Sequence, residues 1–89
     1  MTIKLEGNWD SKRVLLNKQE LSPGLSQNIW NHSPDGFNWG YGGSGPAQLA
    51  LAICIELYGA PKARRMYQKF KFDHIAVLPQ SDFKTTLTL

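Results

Sequence analysis

Gly40-Tyr41-Gly42-Gly43-Ser44-Gly45-Pro46 runs straight into Ala47-Gln48-Leu49-Ala50-Leu51-Ala52-Ile53-Cys54-Ile55-Glu56-Leu57-Tyr58, and this junction decides the fold. Four of the eight glycines fall within residues 40–45, so the backbone there is expected to take conformations closed to other residues. Pro46 suits a first helical turn, where its missing N–H is not needed, and Gly45 or Ser44 would be the N-cap. Residues 47–58 then read as a helix that is apolar almost all round. Its polar stripe is only Gln48 and Glu56, aligned with Ala52 at i, i+4, i+8 spacing. So thin a polar face implies burial on most sides, which makes this helix the expected centre of the core.

Working outward, Gly59 stops the helix and Pro61 opens the next, which is expected to reach about Lys71. Ala63, Met66, Tyr67 and Phe70 recur at i, i+3, i+4, i+7 and form a core-facing stripe. Lys62, Arg65 and Lys69 share the opposite side, flanked by Arg64, Gln68 and Lys71. Helical continuation through Ile75 to Leu78 is compatible with the pattern until Pro79 stops it. The tail Phe83–Leu89 alternates like an edge strand able to pair with an N-terminal hairpin. That hairpin is Arg13–Leu16, a turn at Asn17-Lys18, and a return strand Gln19–Leu21. Ser22-Pro23-Gly24 looks like a break, followed by an irregular polar stretch from Ser26 to Gly36, while Phe37–Trp39 reads as a short extended piece. The expected class is α+β: one domain over 1–89, with a small antiparallel sheet packed against a buried central helix and a second, amphipathic basic helix.

Composition narrows the function classes. The chain has 89 residues, a net charge of +3 and one cysteine, so no internal disulfide framework is available. No apolar run is long enough to span a bilayer. The N-terminus MTIKLEGNWD lacks a signal peptide's apolar stretch, so a cytoplasmic protein is expected, with no membrane partner. Lys62, Arg64, Arg65, Lys69 and Lys71 lie between Pro61 and Phe72 without an acid, leaving the rest of the chain at −2. A clustered charge of this kind can steer an anionic partner to one face, although a solvated helix face looks the same in sequence.

Gly40, Gly42 and Gly45 match G-x-G-x-x-G, but the dinucleotide fold is excluded. The acid expected about 20 residues onward is absent, and only 44 residues follow the loop. Pro46 stands where a Walker A loop needs its lysine. What survives is a run of backbone N–H groups at a helix start, a ready site for phosphate or carboxylate. The candidate ligand-binding residues are therefore Gly42, Gly43, Ser44 and Gly45, with His32, Trp39 and Tyr41 as walls able to meet a planar ring. In the competing reading, the glycines merely let the loop cross the buried helix closely while the aromatics fill the core. His32, Ser33, Asp35 and Ser44 supply hydrolytic residue types without any spacing that implies geometry, so a binding protein is favoured over an enzyme and no catalytic residue is assigned. Two histidines and one cysteine make no metal-ligand signature, and no cofactor is implied. Cys54, on the buried helix, is expected to be an inert packing residue.

The stretch NHSPDGFNWGYGGSGPAQLALAI, Asn31 to Ile53, with Tyr67-Gln68-Lys69-Phe70-Lys71 downstream, resembles a family of small bacterial and phage proteins classed as a domain of unknown function. The resemblance implies no established activity. Occurrence in phages adds, by association only, a role as an antagonist of host defence. Two functional expectations follow. The first is a small non-enzymatic binding protein whose glycine loop holds an anionic, nucleotide-like ligand. The alternative is an interaction module that inhibits a host protein or nucleic-acid complex through Lys62, Arg64, Arg65 and Lys69. Self-association into a homo-oligomer through the tail strand is a third option.

Overall fold

Ile3 and Leu5 are buried while Thr2 and Lys4 are exposed, the period-two pattern of a strand with one face on a core. The computed structural model describes residues 1–89 throughout and makes this segment β1 (Thr2–Gly7), a strand beyond those expected from sequence. β2 (Val14–Leu16) and β3 (Gln19–Leu21) form the expected hairpin, and β4 (Phe83–Thr88) is the expected tail strand. The antiparallel sheet has the order β3-β2-β1-β4. β1 therefore sits between hairpin and tail: Leu5 faces Leu16 on one side and Thr85 on the other. Asn17 and Lys18 both have positive φ, 51° and 70°, as a tight two-residue hairpin turn with the correct twist requires. The Asn17 side chain also accepts a hydrogen bond from the Lys4 amide at 2.9 Å, tying the turn to β1.

The expected break at Ser22-Pro23-Gly24 is instead a helix start. Ser22 caps α1 (Pro23–Ile29), its hydroxyl accepting from the Gly24 amide at 3.3 Å, and Pro23 occupies the first helical position. Seven residues are too few to display a helical period, so the capping signals read as a turn. α2 (Ser44–Tyr58) starts three residues before the expected boundary, with Gly43 rather than Gly45 or Ser44 as its N-cap. Residues 45–54 are all buried, so α2 is the central element of the core as its composition implies. Its thiol, Cys54, is fully buried among apolar neighbours, and burial pushes its pKa up to about 12.

Gly59 joins α2 to α3 (Ala60–Phe70) as a single residue that caps both helices at φ 82°, a conformation that disfavours a side chain. α3 buries Ala63, Tyr67 and Phe70 against the core and exposes its charged side. It then widens into one π turn, Lys71–Ile75, closed by Ala76 N–H donating to the Lys71 carbonyl at 2.8 Å. Phe37–Trp39 belongs to no strand, yet Phe37 and Trp39 are both core residues. No helix is long and apolar enough to cross a membrane.

Candidate functional site

The site is built from α2 outward, beginning with Gln48. Its side chain is fully buried and fully used. Oε1 accepts from the amides of His32 and Ser33 at 2.7 and 2.9 Å, while Nε2 donates to Ser26 Oγ at 2.9 Å and the Trp30 carbonyl at 3.2 Å. One glutamine thus fastens the end of α1 and the following loop onto the central helix, and every polar atom it buries has a partner.

That anchoring sets His32 against α3. His32 Nε2 hydrogen-bonds the Tyr67 hydroxyl at 2.7 Å, and Gln68 donates to the same hydroxyl at 3.2 Å. The Trp30 ring stacks on His32 with centroids 4.8 Å apart, and the Arg64 guanidinium lies 5.4 Å from the Trp30 centroid. Burial first, and then the nearby Lys71 charge, hold the His32 pKa below its usual value, which favours the neutral ring. No serine hydroxyl reaches His32, so the hydrolytic residue types noted in the sequence do not assemble around it.

Lys71 is the residue that sequence reasoning missed. It is 6% exposed, and it forms no salt bridge. Its ammonium donates to the Gly42 carbonyl at 3.2 Å and lies 4.2 Å from the Phe72 ring centroid. The sequence places it on the flank of the charged side, but it follows Tyr67 by four residues and Ala63 by eight. That spacing continues the apolar stripe and was the signal available. A lysine buried with one neutral carbonyl and one ring, and no acid, lacks a counter-charge within the protein.

The glycine loop meets this lysine. Of its glycines only Gly40 has positive φ, 83°, so the expectation of unusual backbone throughout the run is corrected. Gly45 is required by close approach: a Cβ there would lie 2.6 Å from Asn38 Cβ and 3.2 Å from the Asn38 amide nitrogen. At Gly43 a Cβ would meet the Tyr41 ring at 2.4 Å, so Tyr41 lies across the loop with its other side exposed. Close packing of the loop on the helix therefore explains Gly45, while Gly43 is crowded only by the Tyr41 ring of its own loop. Packing does not account for the amides, because those of Gly42, Gly43, Ser44 and Gly45 find no acceptor within the protein, and Gly42 and Ser44 are exposed.

Trp39 is corrected outright. It is fully buried, its Nε1 donates to the Ser81 carbonyl at 3.0 Å, and its ring is packed edge-on against Trp9 and Phe83 at 5.6 and 5.0 Å. No face remains for a ligand. Trp30, by contrast, is half exposed and stacks on His32. The four basic positions of α3 also differ among themselves. Lys69 is paired with Asp73 at 2.6 Å, Arg64 lies against Trp30, Lys62 lies 4.7 Å from the Tyr58 centroid, and Arg65 projects into solvent. No group of three or more His, Cys, Asp or Glu side chains comes together. A surface hollow of about 450 Å³ beside Glu6, Arg13 and Phe83 on the sheet shares no residue with the cluster.

Residues 5–88 match the model of a family of unknown function, DUF6166. No curated protein and no solved structure matches the chain.

Proposed function

The chain belongs to the DUF6166 family, which carries no assigned activity, and from its site we propose a small binding protein for an anionic, nucleotide-like ligand. The observation that carries the reading is Lys71, a buried lysine without an acidic partner, whose ammonium is bonded to the Gly42 carbonyl of the loop whose amides find no acceptor. A phosphate or carboxylate at the exposed start of α2 would receive N–H donors from the loop, led by the exposed Gly42 and Ser44, and the Ser44 hydroxyl, with the Lys71 charge behind the Gly42 carbonyl adding to the field. The positive end of the α2 dipole adds to the same field. Tyr41 lies over the loop and His32 lies within the field of Lys71, so both contact the remainder of the ligand. The arrangement holds an anion without an activated nucleophile, because the hydrogen bond of the His32 ring is to Tyr67 and not to Ser44.

Calorimetric titration with inorganic phosphate and with AMP tests this. Wild-type protein binds, and ligand at ten times its Kd adds about 1.4 kcal/mol of stability, which is roughly 6–11 °C in Tm for a domain this small. Lys71→Met retains the side-chain volume and abolishes the heat of binding. An apo protein indifferent to both ligands contradicts the proposal.

A further inference from the structure

We propose that the anion site is one end of a track for single-stranded nucleic acid, running beside α3 from the glycine loop to Trp30. This inference rests on the anion-binding reading and names the polymer that reading would serve.

Three exposed aromatic rings line the path. Tyr41 is 41% exposed and Phe72 59%, and they flank the loop: Tyr41 lies across Gly43, and Phe72 Cε1 would be 3.3 Å from a Cβ on Gly42. Trp30, 44% exposed, stands at the far end over His32 and Tyr67. Each end couples a ring to a cation of the same helical segment. Lys71 lies 4.2 Å from the Phe72 centroid and Arg64 5.4 Å from the Trp30 centroid. Arg64 and Lys71 are seven residues apart, a rise of about 10 Å along the helix. Rings alternating with cations suit a strand whose unstacked bases lie on aromatic faces while its phosphates meet positive charge. The charge is also one-sided, because the acid of this segment, Asp73, is already held by Lys69. A duplex keeps its bases stacked inside, so it would leave the three rings without partners. The geometry therefore favours the single strand.

Fluorescence anisotropy with a labelled oligothymidine of about eight nucleotides, a length within the range single-strand sites occupy, tests the inference on the full chain. Wild-type protein binds the oligomer more tightly than AMP. With two phosphate contacts, affinity falls about sevenfold between 50 and 200 mM salt. Trp30→Ala and Phe72→Ala each weaken the oligomer at least fivefold, and Trp30→Ala, at the end away from the loop, leaves the phosphate titration unchanged. Trp30→Phe restores most of the loss, which separates stacking from a folding defect. Lys71→Met weakens every ligand. Several results overturn the track: an oligomer bound no better than AMP, a duplex of equal length bound as tightly, or aromatic variants without effect. If the oligomer depends on both rings but ignores Lys71→Met, the anion site itself is wrong and the strand cannot run where it is placed. If phosphate binding needs Lys71 while the oligomer adds nothing, the anion site stands and the track falls.

Discussion

Gln48 and Lys71 are both buried polar side chains on helices that meet at Gly59, yet the protein treats them in opposite ways. Gln48 has four hydrogen bonds, to α1 and the loop that follows it, and nothing left over. Lys71 has one, to a neutral carbonyl, and a charge with no counter-charge. A saturated buried network specifies architecture, because removing any member orphans the rest. An undersatisfied buried charge weakens the fold and is retained most economically where something from outside completes it. The first junction therefore holds the loop in place, and the second receives what the loop faces.

The largest break in this comparison is Gln48→Leu. It removes the four bonds that tie α1 and the following loop to α2 and leaves the Ser33 amide without a partner, and the expected loss is about 3 kcal/mol, or roughly 12–24 °C in Tm. Thermal denaturation followed by circular dichroism reads it. A loss under about 1 kcal/mol would mean that the loop is anchored elsewhere. Tyr67→Phe is next. It removes the hydroxyl joining His32 to Gln68, and urea unfolding should show a loss of about 1 kcal/mol with an unchanged m-value.

The smallest effect is a pH dependence. The folded-state pKa of His32 lies below its ordinary 6.5, so the unfolded chain takes up the proton more readily. The His32 contribution is therefore present above pH 6.5 and is lost as pH falls below it. Burial and Lys71 both contribute to the shift. Lys71→Met removes the second cause, and its stability should fall less steeply over the same acid range. Parallel slopes in the two proteins would place Lys71 too far from His32 to matter.

Much of the fold was legible because long or repeated patterns leave few alternatives. The uninterrupted apolar run after the glycines marks α2, and Asn17-Lys18 between two apolar segments marks the hairpin. β1 was harder, since only Ile3 and Leu5 alternate before Gly7, and α1 was hidden because Ser22-Pro23-Gly24 signals a turn as readily as a cap. The site was legible in part. Trp39 and Tyr41 have the same sequence surroundings, and only packing against Trp9 and Phe83, distant in sequence, sends Trp39 inward. Lys71 escaped because a lysine beside other lysines defaults to solvent, although its spacing from Ala63 and Tyr67 follows the apolar stripe. Gln48 was visible as half of a thin polar stripe, but nothing local announces that its four partners lie in α1 and the loop after it, some 15–22 residues away.

The central claim is that Lys71 serves a ligand rather than the fold, and parallel melting of wild-type and Lys71→Met protein with and without phosphate tests it most directly. Without ligand the variant should melt at or slightly above the wild-type temperature, because a buried unpaired charge has been replaced by an apolar chain of similar volume. With phosphate the wild-type transition should rise and the variant transition should stay where it was. A variant that loses stability on the scale of Gln48→Leu, while both proteins respond equally to phosphate, would contradict the account.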